Sequence, residues 1–504
     1  MDIRSQVSVV FHLDKCIGCS TCTVVCKNVW TDRRGAEYMW WNNVETKPGT
    51  GYPTRWEDQE TYRGGWELDE ASDEFRLRLQ GRAKTLGNLW HNPRLPVMDD
   101  YYEPWTYDYG ALVGASETDD PPTARPLSMI SGQPIDTVDA GPNWDGDLGG
   151  SRIYAANDPN LDGMSESERA QIAEIDEALL FSLPRMCNHC LNPSCVAACP
   201  AGAIYKRGED GVVLASHEQC RSWRMCMSSC PYKKVYFNWL LGKAEKCHLC
   251  YPQLETGQTP ACFQACVGRA RYLGLLLYDA DRIEEAAKAS RGDLVEAQRN
   301  VIVDPFDPAV TEAAMANGVS EAHVEAARRS PVYRFVKEWR VALPLHPEAR
   351  TLPMLFYVPP LSPIVGSLRR VVGDDKDATG NDDLGIDGHT MWPLAFEIGM
   401  PAIRYIANLF SAGDVSIIEE VYRRLLAVRV YTRIKRTRTS TTTAVEALSQ
   451  AGLTANQAEE IARLTSRPTQ DDRFVIPSLG AAAGTEYNLT FDPFTHRGSA
   501  GYRY

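Results

Sequence analysis

No stretch of this 504-residue chain is both apolar and unbroken for long enough to cross a bilayer. The one uncharged run that approaches such a length, Thr351 to Leu368, holds Pro353, Pro359, Pro360 and Pro363, which a helix interior does not tolerate. A surplus of positive charge is also missing. The 53 Lys and Arg stand against 66 Asp and Glu, a formal net charge of -13, which argues against a nucleic-acid binder. The N-terminus, MDIRSQVSVVFHLDKC, has neither a basic-then-apolar leader nor twin arginines, so the chain is expected to stay cytoplasmic unless a partner carries it. No flavin or nicotinamide fingerprint, HExxH, Ser-His-Asp or phosphate-loop pattern occurs, so no common catalytic constellation is on offer.

Nor is any cysteine left over. All 15 fall into four compact runs. The first reads C-x2-C-x2-C-x3-C at Cys16, Cys19, Cys22 and Cys26, and the second C-x2-C-x4-C-x3-C-P at Cys187, Cys190, Cys195 and Cys199. The third is C-x2-W-x2-C-x3-C-P through Cys220, Trp223, Cys226 and Cys230; the fourth is C-x2-C-x11-C-x3-C through Cys247, Cys250, Cys262 and Cys266. Secreted disulfide frameworks belong to small chains that cannot build a core, and this chain is long enough for several domains. Zinc knuckles also use Cys-x2-Cys, but not a further cysteine three residues on that is twice followed by proline. The pattern is that of iron–sulfur ligation, in which the last cysteine of a run reaches across to a second cluster.

Such runs work in pairs. The second and third lie about 20 residues apart, the usual scale of a two-cluster ferredoxin, and both end in Cys-Pro. Pairing them makes cluster A from Cys187, Cys190, Cys195 and Cys230, and cluster B from Cys199, Cys220 and Cys226. The outer runs then make cluster C from Cys16, Cys19, Cys22 and Cys266, and cluster D from Cys26, Cys247, Cys250 and Cys262. Trp223 offers only an indole N–H donor and cannot bind iron. Cluster B is therefore expected to be 3Fe–4S and the other three 4Fe–4S, although an aspartate from elsewhere or a water could complete a cubane at B. His189 and His248 sit inside cysteine loops; with the ligand positions already allotted, they read as neighbours of the ligands or as surface residues.

The expected fold class is α+β: two nested ferredoxin-like modules, a long loop-rich insertion and a mostly helical C-terminal region. Residues 1–35 begin module one, with Ser8 to Leu13 as its first strand and a short helical turn ending near Trp30. Residues 36–176 are rich in Trp, Tyr, Gly, Pro and Asp and read as an irregular insertion ordered by packing its aromatics. Residues 177–275 hold module two and the fourth run that completes module one. Strand candidates there are Gly202 to Lys206, Gly211 to Ala215, Val235 to Trp239 and Arg271 to Tyr278. Residues 276–504 turn helical from Asp281, pass through an extended proline-rich stretch at 344–364 and a polar loop, and end in helices near 397–409, 415–430, 442–450 and 454–464. That region is expected to clamp neighbouring subunits or the chain's own core.

Buried clusters carry negative charge that cations and N–H donors must offset. The runs are interleaved with Lys15, Lys27, Arg185, Lys206, Arg207, Arg221, Arg224, Lys233, Lys234, Lys243, Lys246, Arg269 and Arg271. In an acidic chain this local bias points to charge compensation. Four relays without a catalytic constellation describe an electron-transfer subunit.

The sequence resembles the beta subunit of respiratory membrane-bound nitrate reductases and the closely related nitrite oxidoreductase beta subunits. The resemblance rests on LDKCIGCSTCTVVCKNVWT, NNVETKPGTGYPTRWEDQE, PRMCNHCLNPSCVAACPAGAIYKR, CRSWRMCMSSCPYKK, AEKCHLCYP, SPVYRFVKEW and ALPLHPEARTLPMLFYVPPLSP, and so covers most of the chain. Only the 365–390 loop and the extreme C-terminus look idiosyncratic. The resemblance implies a place between a catalytic alpha subunit, with a molybdenum bis-guanine-dinucleotide cofactor, and a diheme membrane gamma subunit that oxidises quinol. It implies membrane contact through a partner, a peripheral position on the cytoplasmic side of the cell membrane, and electrons entering at cluster B and passing through A, D and C. The family's Trp at the missing-ligand position matches Trp223. Two other readings stand beside this one: nitrite oxidation with the current reversed, and a free polyferredoxin-like carrier, against which the large insertion and helical tail argue.

Overall fold

The computed structural model of the chain describes residues 1–69, 73–78, 87, 92–101, 105–118, 122–128, 130, 132–136, 152–174, 179–362, 364, 396–397, 399–437 and 441–477. The 365–390 loop and the extreme C-terminus lie outside the described residues.

The N-terminal strand Ile3–His12 is buried along almost its whole length, as its apolar and β-branched composition favours. It pairs antiparallel with Arg271–Asp279, Ile3 opposite Asp279 and Phe11 opposite Arg271. On its other edge it pairs parallel with Leu355–Val358, and Leu343–Pro344 completes a four-stranded sheet. Helices Pro308–Ala316, Glu321–Arg329 and Pro331–Tyr333 pack on this sheet, which explains why Arg271–Asp279 reads as an unbroken apolar run rather than an alternating one. The register has a consequence for the cysteines. His12 leads into Cys16 and Arg271 follows Cys266, so the first and fourth runs meet at one end of the sheet.

The second and third runs are joined by the hairpin of Ile204–Lys206 with Val213–Ala215. Val235–Asn238, which follows the third run, pairs with Lys243–Lys246, which precedes the fourth. All four strand candidates of this region thus form strands. Among the described residues of 36–176, several aromatics face inward. Tyr38, Trp41, Tyr52, Trp56 and Tyr101 are buried in the same hydrophobic core as the sheet, and Asn43–Lys47 pairs with Phe181–Arg185, the strand that enters the second run.

The C-terminal helices appear as Met400–Phe410, Val415–Thr437, Thr441–Gln450 and Ala455–Ser466. The second runs past its expected end because its last turns are solvated and show no apolar periodicity. Helix Leu294–Val301 lies in the region expected to turn helical without having been singled out, helix Glu166–Glu174 lies in the segment expected to be irregular, and the proline-rich stretch contains the strand Leu355–Val358. Met400–Phe410 buries Ile403, Ile406, Leu409 and Phe410 completely, each contributing about 1.5–3 kcal/mol. This helix therefore packs on the chain's own core. No helix among the described residues is long and apolar enough to cross a membrane.

A buried charge network ties these parts together. Lys47 pairs with Glu57 and, at 3.4 Å, with Asp158. Glu57 meets His346 Nε2 at 2.9 Å, and Glu348 meets His346 Nδ1 at 2.8 Å. Tyr405 donates to Asp158 at 2.7 Å. Arg185 pairs with Glu45 and lies 3.4 Å over the Trp56 ring. The network joins the insertion, the strand before the second run, the 346–348 turn and a C-terminal helix. Burial disfavours the charged form of His346, but Glu348 and Glu57 outweigh it and raise its pKa to about 9. Its contribution to stability is complete below its unfolded value near 6.5 and lost as pH rises through about 9. The thermal midpoint is thus expected to fall across that alkaline window, and His346→Gln to flatten the fall in calorimetry. Lys47→Met, which strands two buried carboxylates, should cost about 3–5 kcal/mol; Arg423→Ala, which removes an exposed pair with Glu419, should cost under about 1 kcal/mol.

Candidate iron–sulfur centres

Each cysteine run bends at the same point. The residue two after its first cysteine adopts a left-handed backbone: Gly18, His189, Ser222 and Leu249, with φ of 68, 44, 64 and 54°. Such turns point successive N–H groups toward one concave face, which suits an anion. Backbone N–H donors do reach sulfur: Leu249 to Cys247 at 3.4 Å and Ala270 to Cys266 at 3.3 Å. The third run keeps the turn although Trp223 replaces its cysteine.

Helix Thr21–Cys26 of the first run packs on Ala261–Gln264 of the fourth, and Ser194–Ala197 of the second on Met225–Ser229 of the third. The thiols fall into groups accordingly. Cys26 feels Cys262, Cys247 and Cys250; Cys195 feels Cys230, Cys187 and Cys190; Cys226 feels Cys199 and Cys220. Cys16 feels Cys22 and Cys266, while the exposed Cys19 is reached by Arg271 along with them. Neighbouring groups adjoin through Cys247 with Cys187 and through Cys262 with Cys22. Cys199, Cys220, Cys226 and Trp223 line a small cavity that opens to the surface. Gly268 holds the outer runs together, since a Cβ there would stand 2.0 Å from the carbonyl oxygen of Lys15.

The chemistry of this donor set fits iron–sulfur clusters. All 15 cysteines are free thiols. Burial first, and neighbouring thiols second, push Cys190 up to about 12, while burial lifts Cys247 to about 12 and Cys16 to about 11. Thiols this reluctant to ionise become thiolates only when a metal displaces their protons. Among the described residues no three His, Cys, Asp or Glu converge on one ion position. A zinc ion with bonds of about 2.3 Å needs its sulfurs about 3.8 Å apart, whereas a cubane puts each cysteine on a different iron. Several buried donors beside the runs make no hydrogen bond within the protein: Trp41 Nε1, Asn42 Nδ2, Asn188 Nδ2, His189 Nε2 and Arg271 Nη1. Cluster sulfides are the acceptors they would find.

The sequence matches two families by description: "4Fe-4S dicluster domain" over residues 178–276 and "Respiratory nitrate reductase beta C-terminal" over residues 361–455. It is 47% identical to the respiratory nitrate reductase 1 beta chain of Escherichia coli (strain K12), over 100% of this chain and 94% of that one. It is also 47% identical to the nitrate reductase beta chain of Bacillus subtilis (strain 168), over 95% of this chain and 94% of that one. The chlorate reductase subunit beta of Ideonella dechloratans is 37% identical over 71% of this chain and 79% of its own length. This chain belongs to the respiratory nitrate reductase beta-chain family. It is an iron–sulfur electron-transfer subunit of the nitrate reductase type, of mixed helix and sheet with a ferredoxin-like dicluster domain.

The beta chain's interior also supplies the cations that buried clusters need. Lys206 donates to Gln6 Oε1 at 2.6 Å, to Gly211 O at 2.8 Å and to Cys190 O at 3.1 Å. Lys233 donates to Ser228 O at 2.7 Å and Tyr62 O at 3.2 Å, and Lys246 to Cys247 O at 2.7 Å and to Val213 O. None of these three is in an ion pair with a carboxylate among the described residues. Burial pulls Lys206 and Lys233 down to about 7, against the pull of nearby thiols; the negative charge of a bound cluster would favour their protonated form.

The sequence did not single out two further contacts. The π-helical turn Lys27–Thr31 carries Trp30 inward, and its indole donates to Cys250 Sγ at 3.1 Å. Arg271 donates to Cys22 Sγ at 2.9 Å. Trp30 left no signal beyond following the first run, and Arg271 was one basic residue among many. His189 and His248 are buried rather than on the surface. His189 accepts from Val213 N at 3.0 Å and His248 lies edge-on to Trp30.

Gly268→Ala should drive the outer runs apart, costing about 1–3 kcal/mol and lowering iron per chain. Gly292→Ala, in open space, should leave iron content unchanged when both purified complexes are assayed.

Proposed function

We propose that the beta chain relays electrons from a quinol-oxidising haem b gamma subunit to a catalytic alpha subunit, carrying a molybdenum bis-guanine-dinucleotide cofactor, where nitrate is reduced to nitrite. When bound, the clusters supply one-electron sites. In this reading the chain holds three 4Fe–4S clusters, on Cys187, Cys190, Cys195 and Cys230 (A), on Cys16, Cys19, Cys22 and Cys266 (C), and on Cys26, Cys247, Cys250 and Cys262 (D). Cys199, Cys220 and Cys226 hold one 3Fe–4S cluster (B). The two ferredoxin-like modules are nested, the inner within 177–275 and the outer split between residues 1–35 and the fourth run. Residues 36–176 and 276–504 serve as scaffold and subunit contact.

The observation that carries this reading is the cavity bounded by Cys199, Cys220, Cys226 and Trp223: three thiols and an indole where four thiols would make a cubane. Support for a path from A to C comes from the thiol groups, which adjoin from A to D through Cys187 and Cys247 and from D to C through Cys262 and Cys22. Beside the cavity Trp223, Trp239, Leu240 and Leu241 are 39, 53, 63 and 43% exposed, a patch of the kind that marks a subunit contact. It supports docking of the membrane subunit at the cluster B end; the proposal sets the chain peripheral on the cytoplasmic side.

Electron paramagnetic resonance of the oxidised complex is expected to show a single 3Fe–4S signal, and Trp223→Cys to diminish it as a cubane forms. Four cubanes in undamaged protein would overturn the assignment of cluster B. Nitrate reduction with a reduced donor should exceed nitrite oxidation with an oxidised acceptor; the reverse result would turn the current around.

A further inference from the structure

Arg271 stands where the first and fourth runs meet. It is 1% exposed and is in no ion pair with a carboxylate among the described residues. Its guanidinium lies 4.4 Å from the centre of the Phe11 ring and 5.5 Å from that of Phe263, walls that shut out water. One terminal nitrogen donates to Cys22 Sγ at 2.9 Å and to Asn42 Oδ1 at 2.8 Å. The other, Nη1, is buried and makes no hydrogen bond within the protein. Cys22, which Arg271 touches, belongs to one outer group, and Phe263, against which it lies, directly follows Cys262 of the other. Trp30 differs, because its indole touches Cys250 of one group only.

We infer that Arg271 is a positioning residue shared by clusters C and D, a fixed cation that raises both reduction potentials together. The inference rests on the cysteine assignment proposed above. Reduction adds a negative charge to a cluster, and a nearby cation in a dry interior stabilises the reduced form more than the oxidised one. Lying between two clusters, the same cation offsets part of the cost that the first reduced cluster adds to reducing the second. Adjacent sites of similar potential pass an electron without an uphill step. Trp30, as a neutral donor to one ligand sulfur, acts in the same direction on cluster D alone.

The test is a redox titration of the intact complex, followed by electron paramagnetic resonance, with iron per chain measured alongside. Arg271→Gln should lower two of the four midpoints. At a fixed potential the reduced-to-oxidised ratio of each should fall about tenfold, equivalent to 59 mV for a one-electron couple. The inner pair should stay in place, and Trp30→Phe should move one of the same two. Full iron content with unmoved midpoints, with one midpoint moved, or with all four moved equally would overturn the inference. Should the Gln variant lose iron, Arg271→Lys keeps the charge but shortens the reach to Cys22. Both outer midpoints should then fall together by less; no movement, or movement of one alone, overturns the inference. A wild-type complex lacking two outer cubanes would instead overturn the cysteine assignment and leave Arg271 without a role.

Discussion

Thiolate charge buried in a protein interior must be met by fixed positive charge and oriented donors, because desolvation costs several kcal/mol per ion and water is not there to help. The chain as a whole is acidic, with a net charge of -13, yet around its cysteines it buries Lys233, Lys234, Lys246 and Arg271 and half-buries Lys206. These cations need acceptors that hold them in place without neutralising them. Carbonyl and amide oxygens do that, while a carboxylate would cancel the charge the clusters require.

The insertion follows from this constraint. Lys27 donates to the carbonyls of Ala36 and Met39, Lys234 to Trp40 O and Asn43, and Arg271 to Asn42. Residues 36–43 thus line the outer pair with acceptors. Their strand partner Phe181–Arg185 leads straight into the second run. A second network, in which Lys47 and His346 are matched by carboxylates, lies further along the same segment and fastens it to the C-terminal helix at Tyr405. The two networks differ in chemistry because they serve different ends. One holds charge unpaired for a cofactor, and the other cancels charge to join distant segments.

Much of the fold was legible where a local pattern carries it. The flanking strands, the aromatic packing of the insertion and the C-terminal helices follow from composition and periodicity. The parallel pairing of Leu355–Val358 with the N-terminal strand was not, since a proline-rich neighbourhood hides a strand buried on both faces and pairing between segments this far apart leaves no local trace. Helix Leu294–Val301 was missed for a related reason: it is short and follows a Gly-Asp turn. Among the site residues, cysteine spacing marked the candidate ligands, but Trp30 and Arg271 meet thiols through contacts that no spacing records.

By itself the sequence determined the type of chemistry. Ligand type and spacing are local, and fifteen thiols in four runs suit iron–sulfur clusters. Tertiary structure decided which cations stand beside which thiols. It brought Arg271 to Cys22 across a sheet and Trp30 to Cys250 across a π-helical turn. Electrostatic influence depends on distance and burial, and neither is a property of order along the chain.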